Sequence, residues 1–181
     1  MIKDCGYTVG DNTWRQYSFS FNSGNNSKVR LYLGDGGGTH YFDDFDLIRD
    51  TVQNKGFETE SITPWFGNTS IFTVTTADKH SGTYGLKLLG TGSWGNLQQD
   101  MNVLPNTDYT WTFWAKSSST GARFELLTTS NGLIKDCGRS VGDNTWRQYS
   151  FNFNSGDNLK VRLYIGDGGA GTFYFDDFEA K

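Results

Sequence analysis

Residues 134–179 read IKDCGRSVGDNTWRQYSFNFNSGDNLKVRLYIGDGGAGTFYFDDFE, and residues 2–46 read IKDCGYTVGDNTWRQYSFSFNSGNNSKVRLYLGDGGGTHYFDDFD. About four in five aligned positions are identical, with one added residue near Gly171. Inside the second copy the residues alternate. Tyr149, Phe151 and Phe153 fall on one face of a strand, with Gln148, Ser150 and Asn152 on the other. Over 160–165, Val161, Leu163 and Ile165 point one way, and Arg162 and Tyr164 point the other. Upstream, Tyr109, Trp111 and Phe113 form a further core face, opposite Thr110, Thr112 and Trp114. Short runs of period two, separated by Gly, Asn, Ser and Thr, define strands joined by tight turns. No ten-residue segment carries a helical period, so the fold class is all-β, a sandwich.

The composition agrees. The 181 residues include 23 Gly and only 2 Pro, and aromatic residues reach 16%. Large rings supply a core even though hydrophobic residues total 35%. The formal net charge of -4 disfavours a phosphate backbone, so nucleic acid is not an expected partner. No run approaches the roughly 18 apolar residues of a membrane span, so no membrane is expected either. No basic start, apolar stretch or small-residue cleavage site follows Met1, and the repeat marks the chain as an excerpt.

Residues from about Asn54 to Gly132 have no earlier copy, so the repeating unit is about 130 residues long. The chain then holds a late half, an early half and another late half. Residues 51–181 make one complete module of a size normal for a single sandwich. Residues 1–50 are the C-terminal half of a preceding one, with about four strands and no partner sheet. Their cover is disorder, self-pairing in a homodimer or domain swap, or capture of residues 54–133 as a circular permutant. Contiguous strands pair more readily, which favours the native order.

Cys5 and Cys137 occupy the same repeat position, so a module has no internal disulfide and its thiol reads as buried and free. His40 and His80 stand in unrelated contexts without a nucleophile motif. Asp176, Asp177, Glu179 and Glu125 raise the question of a glycosidase pair. Adjacent Asp176 and Asp177 point to opposite faces of a strand, which argues against a shared acid/base role. Carboxylates at both ends of the module suit either a hard cation or a hydrogen-bonded Asp pair.

The ordered series NKGFE at 54–58, PWFGN at 64–68, HSGTYGLKL at 80–88, YTWTFWAK at 109–116, TWRQYSF at 145–151 and FYFDDFE at 173–179 resembles the carbohydrate-binding modules of the family 4, 9, 16 and 22 group. The resemblance covers nearly all of residues 54–181 and repeats over 2–47. It implies a β-jelly roll, an extracellular appendage of a glycan-degrading enzyme or surface protein, and no catalysis by the module. It also implies a structural Ca2+ held by Glu58 and Asp176, with carbonyls near Asn54 and Ser81. The implied ligand is a β-linked polysaccharide such as a glucan, mannan or xylan.

Pyranose rings stack their C–H faces on aromatic rings and offer their hydroxyls to amide, carboxylate or guanidinium groups. Trp65, in a loop after Pro64, matches one platform position of the family, and Tyr164 matches a second. Trp94, between flexible residues, is a third candidate. Gln98, Glu125 and Arg162 are the polar partners, with the facing of Gln98 and Gln99 open to reversal. Tyr32, the counterpart of Tyr164, has no Trp65 equivalent in its own copy. The rival reading is a structural or adhesive repeat, in which tandem sandwiches act as spacers.

Overall fold

The computed structural model describes residues 3–17, 19, 21, 29–34, 37–45, 52–92 and 95–181. The chain divides into two units, Met1–Asp46 and Leu47–Lys181.

The second unit is all-β. Its strands are β1 (Phe72–Thr75), β2 (Gly85–Thr91), β3 (Asn96–Asn102), β4 (Asp108–Ser117), β5 (Arg123–Thr128), β6 (Leu133–Arg139), β7 (Arg147–Asn154), β8 (Lys160–Gly166) and β9 (Ala170–Ala180). They form a five-stranded sheet ordered β1-β2-β9-β4-β7 and a four-stranded sheet ordered β3-β8-β5-β6. Among the described residues every pairing of these strands is antiparallel. This is a β-sandwich jelly roll.

The alternation read from the sequence becomes the core. Trp111, Phe113, Val161, Leu163, Ile165, Phe173 and Phe175 are fully buried between the sheets, with Leu86 and Leu88 from β2 and Phe124 and Leu126 from β5. Phe113 stacks on Tyr149 at 5.4 Å and on Phe178 at 5.1 Å, and meets Phe124 edge-on at 4.8 Å. Burying one such side chain is worth about 1.5–3 kcal/mol, so these rings hold the two layers together. Trp146 is half-buried, and its Nε1 donates to Asp78 Oδ1 at 3.2 Å. An indole needs a polar partner for its N–H, and Asp78 supplies it outside the core.

In the first unit the described residues form no strand, in contrast to the roughly four expected. Tyr7, Trp14 and Tyr32 are exposed, as are Val29, Leu31 and Leu33. In the second copy, β6 and β8 take hydrogen bonds from β5 and β3, while β7 and β9 take theirs from β4 and β2. Without such partner strands, a short strand of this composition is marginal on its own.

Candidate carbohydrate-binding face

The outer face of the four-stranded sheet collects most of the expected polar contacts. Gln98 on β3 stands directly opposite Tyr164 on β8, and Tyr164 stands opposite Glu125 on β5. The three form one row across three strands. One row along, Arg162 lies opposite Asp100. Side chains two residues apart on a strand share a face, which puts both rows on the same surface.

Each group on this face is held. Gln98 Nε2 donates to Asn96 Oδ1 at 2.7 Å, while neighbouring Gln99 turns inward and exchanges hydrogen bonds with the Gln53 backbone. Arg162 grips Asp100 with two N–H groups, at 2.6 and 3.0 Å, and reaches Asn131 Oδ1 at 2.7 Å. Such a fork-to-carboxylate pair fixes the guanidinium plane. Glu125 pairs with Arg123. Burial pushes the Glu125 carboxyl up, the Arg123 charge pulls it back down, and Asp136, opposite Glu125 on β6, adds to the rise.

Tyr164 owes its pose to a glycine. A Cβ on Gly166 would lie 2.6 Å from the ring Cε1 and 2.9 Å from its hydroxyl, so the ring rests across the Gly166 backbone. No other residue leaves room for it there. Burial raises the phenol, with the Glu125 charge adding to it, so the hydroxyl stays protonated and available as donor.

Trp65 is not on this face. It is 3% exposed and packs on Phe178 at 4.8 Å and Phe57 at 6.0 Å, so it belongs to the core. A turn closes by Trp65 N–H donating to the Ile62 carbonyl at 2.8 Å, and the next residue then joins the sheet edge. Phe66 exchanges backbone hydrogen bonds with Gln98, at 2.9 and 2.7 Å. Adjacent residues of an extended chain face opposite ways, so with Trp65 inward Phe66 turns outward. Phe66 is 41% exposed, and its ring centroid lies 5.2 Å from the Arg162 guanidinium carbon. The outward aromatic of the PWFGN segment is therefore Phe66. Trp94 lies outside the described residues.

The expected calcium ligands divide differently. Asp176 is fully buried: its Oδ2 accepts the N–H groups of His80 and Ser81, and its Oδ1 accepts that of Asp177. Burial pushes its carboxyl up, and these amides offset part of the rise. Glu58 accepts the Thr83 and Tyr84 N–H groups. The Asn54 side chain donates to the Ser61 and Thr63 carbonyls. The strand argument that separates Asp176 from Asp177 fails here. Asp177 adopts φ 51, which breaks the alternation, and both acids reach the 80–81 segment.

Among the described residues no cluster of three or more His, Cys, Asp and Glu side chains is disposed to hold a metal. The oxygen chemistry nevertheless suits a hard cation. Among the described residues Asp176 Oδ1 and Glu58 Oε2 each accept a single N–H, leaving one lone pair apiece, and both side chains flank Gly56.

Residues 49–169 match the model of the family 4 and 9 carbohydrate binding domain. No curated protein matches the chain in sequence. Among solved structures it is similar to a family 61 module in complex with β-1,4-galactotriose, with 21% identity and a TM-score of 0.56 over 74% of this chain and 99% of that one. It is similar also to the xylan-binding family 22 module of a Paenibacillus barcinonensis protein, with 14% identity and a TM-score of 0.55 over 70% and 90%. A family 4 module aligns with 17% identity and a TM-score of 0.51 over 72% and 99%. The sandwich and the family match together place the chain in the family 4/9 carbohydrate-binding domains.

Proposed function

We propose that this chain binds a β-linked polysaccharide, of the glucan, mannan, xylan or galactan type, on the outer face of the four-stranded sheet. The observation that carries the reading is the row Gln98, Tyr164 and Glu125, with Arg162 and Phe66 beside it. Tyr164 and Phe66 offer rings to the C–H faces of the sugars, and the amide, carboxylate and guanidinium meet hydroxyls. The face is shallow and its contacts few, so affinity is weak, about micromolar or poorer. The module acts without catalysis, as an extracellular appendage that holds an attached glycoside hydrolase on its substrate.

Affinity electrophoresis of the full chain against these polymers tests the reading. One polymer is expected to retard the wild type, and Tyr164→Ala is expected to need about tenfold more of that polymer for the same retardation. Unchanged migration on every polymer would overturn the reading and favour a structural or adhesive repeat.

A structural calcium ion is part of the same proposal, held by Glu58 and Asp176 with carbonyls at Asn54 and Ser81. Bound only to the folded state, it would raise the melting temperature by mass action. Exhaustive chelation is expected to lower the midpoint by several degrees, and an unchanged midpoint would remove the metal from the account.

A further inference from the structure

We propose that residues 3–45 are a second late half able to seat on residues 52–133 of the same chain in place of residues 134–179, giving the chain two mutually exclusive sandwich frames. Three observations meet here. The first is the repeat: the residues that β8 buries, Val161, Leu163 and Ile165, recur as Val29, Leu31 and Leu33. The second is that those counterparts are 44%, 65% and 49% exposed, so the same apolar residues that β8 buries are left in solvent in the first copy. The third is closure. Phe178 N–H donates to the Lys55 carbonyl at 3.0 Å, so the end of β9 lies beside the start of the module.

Closure decides whether the exchange is geometrically open. Phe45 is the counterpart of Phe178. Placed at that position, it must be joined to Val52, which stands three residues before Lys55 and so at most about 11 Å from it. Residues 46–51 span up to about 20 Å when extended, which is enough. Exchange between copies would leave the same number of late halves unpartnered, because each chain has one early half and two late ones. Nothing is gained by leaving the chain.

The native order remains the favoured one. Phe173, fully buried, is replaced by His40 in the first copy, and an imidazole in an apolar core is costly. The turn before β9 is one residue shorter in the first copy, where Gly38 precedes Thr39 as Gly171 precedes Thr172 and nothing answers Ala170. The short connection also competes with the last pairs of β9, where Glu179 and Ala180 meet Thr112 and Trp111. The permuted frame is the minor one, a population of the kind seen where two packings of one sequence lie close in energy.

The repeat supplies its own reporter. Cys5 is exposed, whereas burial pushes the Cys137 thiol up to about 12. The thiolate is the reactive form, so alkylation of the full-length wild type is expected to label Cys5 faster by about tenfold or more. Leu163→Asp disables the second late half. It is expected to retain a cooperative melting transition at a lower midpoint, with the labelling inverted so that Cys5 is protected and Cys137 reacts. Leu31→Asp with Leu163→Asp should melt without a transition and label both thiols alike. Adding His40→Phe to Leu163→Asp should raise the midpoint again. The proposal is overturned if Leu163→Asp alone behaves as the double variant, or if it stays folded with Cys137 still protected. A midpoint that His40→Phe leaves unmoved would overturn the assignment of His40 to the Phe173 position.

Discussion

Residues 2–46 and 134–179 are nearly the same sequence in two surroundings, and the contacts they share are the short ones. Val9 and Val141 each donate their N–H to a tyrosine hydroxyl eight residues on, at 3.0 and 2.8 Å. Asp11 and Asp143 each accept the N–H two residues later, at 3.2 Å, and each pairs with an arginine four residues on. Asp4 and Asp136 cap Gly6 and Gly138 in the same way. Tyr32 lies over Gly34 as Tyr164 lies over Gly166. What differs is the strand structure: the second copy forms β6 to β9, whereas the described residues of the first form no strand. Fully buried Leu163 has a counterpart, Leu31, that is 65% exposed. Local turns are properties of the segment, whereas a sheet is a property of the segment and its partner.

The comparison can be broken most forcefully through the early half that only the second copy uses. Trp65→Ala should destabilise the second unit by about 3–5 kcal/mol, because it empties a packed site between Phe57 and Phe178. Chemical denaturation reads this directly, and an unchanged midpoint would return Trp65 to the surface. Trp65→Phe should cost far less, since the buried Nε1 has no hydrogen-bond partner among the described residues.

Next in size is a matched pair. Leu163→Ala should cost about 2–5 kcal/mol and Leu31→Ala less than about 0.5 kcal/mol, by the same measurement. Equal costs would mean that the two copies share one environment. A smaller difference is expected in ligand binding. Tyr164→Ala should weaken polysaccharide binding about tenfold, or about 1.4 kcal/mol, while Tyr32→Ala leaves it unchanged in titration calorimetry.

The smallest effect is an expected equality. The Arg15 guanidinium holds the Asp11 carboxyl below the usual carboxylate range, and Arg147 does the same for Asp143. A group with a depressed value contributes stability above its unfolded value and loses it as pH falls through the folded one. Both pairs are solvent-exposed, so this contribution is small and screened by salt. NMR titration should find both carboxyls lowered to a similar extent, and a depressed value for Asp143 alone would tie the turn to the folded sheet.

The alternation of β4, β7 and β8 was legible because each strand has one wet face and one buried face, and Arg162 and Tyr164 fall on the outer side as their parity requires, whereas β5 is buried from Phe124 to Leu127, Glu125 included. Phase was lost where the chain is not regular. Pro64 and the turn before Trp65 reset the count, so inward and outward exchanged between Trp65 and Phe66. Asp177 lost its parity to a left-handed backbone. Asp100 escaped notice as the partner of Arg162 because an ion pair across strands depends on register, which no single strand reveals.

The hydrogen bond between Phe178 and Lys55 also has a mechanical meaning. A chain that enters and leaves a module at one corner delivers any tension across that corner. The load then falls on the end of β9 one hydrogen bond at a time, as in opening a zip, rather than on many bonds sheared together. A module tethered by both ends is expected to yield at low force and to begin doing so at Phe178, which force spectroscopy can read as a weak first event.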